Sequence, residues 1–249
     1  MRLLAIDAGN TRIKWGLHNG QSWLQRGVVA SGEIAGLPAL LTVAPDHLIS
    51  SDVAGAAIDT ALARLFPSLP HHTVRSTHTQ CGLTNSYDKA EQLGSDRWAA
   101  LIAVHKLSRD IVDARLPSPE GPALVVTAGT ALTADTLHKG VFLGGVILPG
   151  YRLMHDALAA GTQMNGKPGQ FNLFPRNTAD AISSGSLLGL VGAIEHLHSA
   201  LQRQTGQLPA IWLNGGDAAL LAPHLPNART AEENLVLTGL YYIALEVFA

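Results

Sequence analysis

The feature that most constrains this chain is an internal repeat. Leu3 to Gly20 (LLAIDAGNTRIKWGLHNG) lies over Ala123 to Gly140 (ALVVTAGTALTADTLHKG) at an offset of 120 residues. Leu4/Leu124, Ala8/Ala128, Gly9/Gly129, Leu17/Leu137, His18/His138 and Gly20/Gly140 coincide. Each copy reads as an apolar strand, a tight turn containing glycine, a second strand of mixed pattern and a turn ending in glycine. A period near half the chain length predicts two similar domains, each opening with a β-hairpin. Between the copies, Leu116 to Pro122 (LPSPEGP) gathers Pro, Ser and Gly into a stretch suited to a linker. The expected domains are therefore 1–118 and 119–249.

Two helices follow from period. One begins at Asp96 and runs to about Ser108, with Trp98, Leu101, Ile102 and His105 at helical spacing. The other runs from about Ala179 past Leu201, striped by Leu187, Leu190, Val191, Ile194 and Leu197, with Asn177 or Thr178 as cap. Gly185, Gly189 and Gly192 would let another backbone approach, from a partner subunit or from within the chain.

Composition narrows the partners. With 249 residues and 47% hydrophobic content the chain is expected to be fully globular. A formal charge of −2 and no run of Lys or Arg give no footprint for nucleic acid or an anionic membrane surface, so a small-molecule partner is expected. The single cysteine, Cys81, excludes an internal disulfide and reads as a small apolar filler. The first residues reach the carboxylate of Asp7 after four apolar side chains, too few for a signal segment or a membrane span. A cytoplasmic protein is the expectation.

Three junctions between a strand and glycine carry the candidate chemistry. Asp7-Ala8-Gly9-Asn10-Thr11 ends an apolar strand; Gly9 lets main-chain N–H groups approach an anion, and Asn10, Thr11 and Lys14 add donors. Asp7 could hold a Mg2+-bound water, because Mg2+ on a nucleotide keeps waters and takes few carboxylates. The same pentapeptide also fits a plain hairpin turn. Gly129-Thr130 stands at the matching place in the second copy, and Ile211 to Asp217 (IWLNGGD) forms a third junction with room for a flat base or ribose. Gly94-Ser95-Asp96-Arg97 sets a carboxylate beside a guanidinium at a helix start. There Asp96 reads either as a helix cap or as the acceptor of a substrate proton, with Arg97 holding an oxygen-rich substrate. No Walker-type loop, dinucleotide fingerprint or hydrolase elbow occurs. His71-His72 and His196/His198 lack metal spacing and are expected to be solvated.

In order along the chain, Asp7 to Thr11, Gly94 to Trp98, Gly129-Thr130-Ala131, Gly144-Gly145 through Pro149-Gly150, Asn177-Thr178 and Gly215-Gly216-Asp217 resemble the motifs of type III pantothenate kinases. These enzymes lie within the acetate and sugar kinase, Hsp70 and actin superfamily. The resemblance implies an α/β fold of two ribonuclease H-like (actin-like ATPase) domains with a cleft between them. It also implies transfer of the ATP γ-phosphoryl to pantothenate in a homodimer. By that likeness Asp7, Ala8, Gly9, Asn10, Thr11, Arg12, Ile13 and Lys14, joined by Thr130, bind ATP with Mg2+. Asp96 is the general base, and Tyr87, Gly94, Ser95, Asp96, Arg97 and Thr178 contact pantothenate.

Two positions depart from the family pattern. Thr127 stands where Asp is common and helps bind K+ or NH4+; a hydroxyl is a weaker cation ligand, which implies a smaller need for that cation or its binding through other oxygens. Ala90 stands where Pro is frequent, which implies a looser approach to Asp96. Two other functions fit the same fold: a kinase of another hydroxyl or acid substrate, and a regulator without catalysis. The joint presence of Asp7, Asp96 and Arg97 favours catalysis.

Overall fold

The computed structural model describes residues 1–9, 11–52, 55–110, 120–161, 169–231 and 234–249. The chain divides into two compact units, Met1–Asp110 with Glu233–Ala249, and Ile111–Glu232.

Unit 1 contains β1 (Leu3–Ala8), β2 (Arg12–His18), β3 (Trp23–Ala30), α1 (Leu37–Leu40), β4 (His47–Asp52), α2 (Ala56–Leu65), β5 (His71–Val74), β6 (Thr79–Gln80), β7 (Leu83–Asn85) and α3 (Ser95–Asp110). Its main sheet has the order β3-β2-β1-β4-β5. β1 pairs antiparallel with β2 and parallel with β4, and β5 extends the parallel side. Every residue of β1 is buried, as expected of a central strand covered on both faces. Leu4, Ile6, Ala8, Ile13 and Trp15 form one face and pack with Leu37, Ile58 and Leu62. β6 and β7 form a small hairpin turned by Cys81 (φ 53°) and Gly82 (φ 79°). Two successive positive φ values are what a two-residue hairpin turn requires.

Unit 2 contains β8 (Ala123–Ala128), β9 (Ala131–His138), β10 (Val141–Pro149), α4 (Tyr151–Gly161), α5 (Thr178–Thr205), β11 (Ala210–Asn214), α6 (Ala218–Leu221) and β12 (Ala228–Thr230). Its strands run in the order β12-β11-β8-β9-β10, with β8 antiparallel to β9 and parallel to β11. Strand for strand, β8, β9, β10, β11 and β12 reproduce the order and directions of β1, β2, β3, β4 and β5. The repeat seen in two hairpins therefore extends to the whole sheet. Leu124, Val126 and Ala128 pack with Leu187, Leu190 and Ile194 of α5 and Leu213 of β11. The helix predicted from Ala179 past Leu201 is α5, and Asn177 is its cap, accepting from Asp180 N at 2.9 Å. Gly206 closes it in the left-handed conformation.

The last helix, α7 (Leu235–Val247), belongs to unit 1. It packs on α3, β1 and β4. The α3 and α7 backbones approach so closely that a Cβ at Gly239 would overlap the Ala99 carbonyl. A division at 118/119 leaves α7 in the second domain, whereas the contacts of this nearly wholly apolar helix put it in the first. Burying both of its sides takes α3 and the unit 1 sheet together. Within the linker predicted at 116–122, residues 116–119 lie outside the described ones; Glu120 and Pro122 bond to Lys139 and Ala210 of unit 2. His71 and His72 also differ from expectation. They lie in β5 and are half-buried, and His71 Nε2 is 2.8 Å from the buried Ser50 Oγ.

Candidate active site

At the C-terminal end of β1 a polar row crosses three strands. Register places Lys14 of β2 and Ser51 of β4 on either side of Asp7. Asp7 is buried, with Lys14 Nζ 3.7 Å from Oδ2. Burial raises the Asp7 pKa to about 6, opposed by the Lys14 charge and reinforced by the negative charge of Asp96. The Asp96 side chain thus lies near enough for its charge to act on Asp7. A second tie is direct: Ser51 Oγ lies 2.8 Å from Ser95 Oγ in the first turn of α3.

α3 therefore starts beside the row. Asp96 Oδ1 accepts from Arg97 N at 2.8 Å, which fixes its rotamer against the helix start. A Cβ at Gly94 would come within 2.6 Å of that same oxygen, so glycine is what leaves room for the carboxylate. Arg97 is 6% exposed, and its Nη1 donates to Tyr87 Oη at 3.2 Å. Its guanidinium carbon sits 5.8 Å from the Tyr87 ring centroid.

The expected residues fall into two groups. Asp7, Lys14, Tyr87, Gly94, Ser95, Asp96 and Arg97 gather in unit 1, with Gly9, Thr11 and Arg12 in the β1–β2 hairpin. Gly9 N donates to Arg12 O at 3.2 Å, closing the turn. Ala8 and Ile13 are core side chains with no exposure, so only their main chain is available to a ligand. Asn10 lies outside the described residues. Thr130 and Thr178 belong to unit 2, both exposed, the first after Gly129 and the second opening α5.

Unit 2 repeats the row without its charges. Thr127 sits between Thr133 of β9 and Asn214 of β11. Thr133 Oγ1 and Asn214 Nδ2 are buried without a hydrogen-bond partner among the described residues. Around the same strand end the main chain is packed tightly: a Cβ at Gly150 would overlap the Gly129 carbonyl, and one at Gly215 (φ 103°) the Ala128 carbonyl. Asp217 N donates to Ala128 O at 3.1 Å, so the Gly215-Gly216-Asp217 junction is fastened to the end of β8. Sequence reasoning passed over Ser51 and Asn214. The available signal was a polar residue at or next to the end of the matching strand in each repeat, Ser51 in β4 and Asn214 in β11.

The sequence model of type III pantothenate kinase matches residues 3–200. A type III pantothenate kinase of Nitrosomonas eutropha is 43% identical over 255 residues, covering 97% of this chain and 94% of its own. Among solved structures, a Baf family protein of Campylobacter jejuni superposes with a TM-score of 0.61 at 19% identity, over 98% of each chain. A ParM variant superposes at 0.53 with 12% identity, over 100% of this chain and 99% of its own. These last two likenesses show a shared fold, an α/β arrangement of two actin-like units.

Proposed function

The chain belongs to the type III pantothenate kinase family, and from that premise we propose that it phosphorylates pantothenate with ATP, giving 4'-phosphopantothenate and ADP. That reaction opens coenzyme A biosynthesis. The observation that carries this reading is the Ser51–Ser95 contact, which ties the strand beside buried Asp7 to the helix start of Asp96, where Arg97 is held against Tyr87.

In the proposed reaction Asp96 accepts the proton of the pantothenate hydroxyl as its oxygen bonds to the γ-phosphorus and the bond to the β-phosphate oxygen breaks. Arg97 and Tyr87, with Gly94 and Ser95, hold the acid end and the amide of pantothenate. A buried guanidinium already oriented by a phenol loses little freedom on taking a carboxylate. The main chain of the β1–β2 hairpin and Lys14 hold the triphosphate. Positioning supplies most of the acceleration in such a transfer.

Asp7 fits a divalent cation. A buried carboxylate whose proton affinity is raised by desolvation gains from a nearby positive charge, and among the described residues no cluster of three acidic or His/Cys ligands competes with a mainly hydrated Mg2+. Bound there with the nucleotide, Mg2+ supplies neutralisation of charge on the phosphate oxygens. A monovalent cation fits the second row poorly. Thr127, Thr133 and Asn214 are all neutral, and none offers the carboxylate that a cation site favours.

A homodimer is supported by unit 2, which leaves Ile147 (63%), Phe174 (79%), Leu153, Phe171, Leu173 and Leu188 exposed. Among the described residues, nothing beyond the backbone of α5 itself lies within 4 Å of where a Cβ at Gly185, Gly189 or Gly192 would stand. Light scattering giving a monomer mass at micromolar concentration removes the dimer. No helix among the described residues is long and apolar enough to cross a membrane. A cytoplasmic location accords with the metabolic role.

The test is ATP-dependent phosphorylation of pantothenate by the purified protein, with Asp96→Asn beside it. The variant should lose about 100-fold or more in kcat. No turnover by the wild type removes the enzyme reading. Near wild-type kcat in a folded Asp96→Asn leaves Asp96 as a helix cap only.

A further inference from the structure

Asn85 ends β7 with no solvent exposure, and both amide protons and the carbonyl oxygen of its side chain are engaged. Nδ2 donates to Ser76 Oγ at 3.1 Å and to the Ala90 carbonyl at 3.2 Å. Oδ1 accepts from Tyr87 N at 3.0 Å, and the Asn85 main-chain N–H donates to His78 O at 2.8 Å. Three stretches of chain are pinned at this one amide: the approach to β6, the residues just after β7, and the turn that opens at Ala90.

Residues 86–89, between β7 and that turn, lie in neither helix nor strand. Tyr87 lies among them, and its hydroxyl and ring face Arg97. The Tyr87 main chain is therefore placed by the Asn85 side chain, in the way an Asx turn replaces a backbone turn. We propose that Asn85 is a positioning residue for the acid substrate: by fixing the Tyr87 backbone it holds the phenol against Arg97 and so sets the affinity for pantothenate. This rests on the reading above, in which Tyr87 and Arg97 contact that substrate. Asn85 makes none of these bonds to the Lys14–Asp7–Ser51 row, so the nucleotide end of the reaction is not under its control.

Asn85→Asp tests the amide. Its size is kept, but both donors that hold the side chain in place are lost, and the repulsion between a carboxylate oxygen and the Ala90 carbonyl turns the group away from Tyr87 N as well. Steady-state kinetics on the full chain, with thermal melting, compares wild type, Asn85→Asp, Ser76→Ala, Tyr87→Phe and the double Asn85→Asp/Tyr87→Phe. Asn85→Asp should raise KM for pantothenate about tenfold and change KM for ATP less than about twofold, with Ser76→Ala shifting in the same direction by less. The double variant should add little to the larger single effect, since one residue acts through the other. An unchanged pantothenate KM in folded Asn85→Asp overturns the proposal, as do proportional losses in every parameter that track the folded fraction. Should Asn85→Asp not fold, the pantothenate KM of Ser76→Ala decides by the same criterion. No wild-type turnover of pantothenate overturns the function reading and this inference with it. Normal wild-type turnover beside unshifted variants overturns this inference alone.

Discussion

Ser51 and Ser95 face each other oxygen to oxygen at 2.8 Å, both buried, and so join the strand beside Asp7 to the helix that carries Asp96. Ser51→Ala leaves the Ser95 hydroxyl buried and unpaired and should cost about 1–3 kcal/mol in urea unfolding. The double Ser51→Ala/Ser95→Ala should cost less than the sum of its parts, because the second change removes the orphan created by the first. Additive losses would show that the bond carries no coupling.

Gly94 makes a sharper prediction, about activity rather than stability. A methyl at this position meets the far end of the Asp96 side chain at 2.6 Å, and that end can swing away. Gly94→Ala should therefore melt close to wild type yet lose about 10- to 100-fold in kcat, the expected result of moving a reacting group by about an ångström. A wild-type kcat together with a wild-type melting temperature refutes the crowding.

Asp7 should set a pH dependence of opposite sign to that of a surface carboxylate. Its pKa rises from 3.8 to about 6 on folding, so its contribution to stability is complete below about pH 4 and is lost as pH climbs through 6. Asp7→Asn should accordingly stabilise the ligand-free protein at pH 8 and confer little at pH 4, read as the difference in melting temperature. Activity should be abolished or strongly reduced at both values. A stabilisation that is equal at both pH values contradicts the desolvated carboxylate.

Thr127 predicts indifference to the monovalent ion. Activity in Na+ and K+ salts at equal ionic strength should agree within about twofold, because a hydroxyl is a poor substitute for a carboxylate as a cation ligand. Thr127→Asp should introduce a preference for K+. A steep K+ requirement in the wild type sinks this reading.

Gly239 tests how the first unit is closed. Any side chain there overlaps the Ala99 carbonyl, so Gly239→Ala must push α7 off α3 at a cost of about 2–3 kcal/mol by overpacking. The fall should be visible in the urea midpoint. An unaltered midpoint would mean that α3 and α7 are not held in contact.

How much of this could be read from sequence differs by level. The hairpins, α3 and α5 were legible because strand alternation, helical stripes and the Asn177 cap are local signals. The placement of α7 was not, since its apolar residues say that it must be buried but not against which unit. Asp7, Asp96 and Arg97 stood out by residue type at glycine junctions. Ser51 and Asn85 did not, because their importance lies in partners 44, 9 and 5 residues away along the chain, Ser95, Ser76 and Ala90. His71 was misjudged for the same reason: the flanking Pro70 suggested a loop, and the Ser50 partner that draws it inward comes from another strand.

The position of α7 sets a timetable for the cell. During translation the hairpin with Asp7 and the helix with Asp96 emerge early, yet the surface they share with α7 stays uncovered until residues 235–247 have left the ribosome. Unit 2 is contiguous and is made in between, so it is free to fold first while the earlier-made segment waits with α3 exposed. A stalled or shortened nascent chain would thus carry a finished second unit beside an open first one, the form in which quality-control proteases and chaperones would meet it.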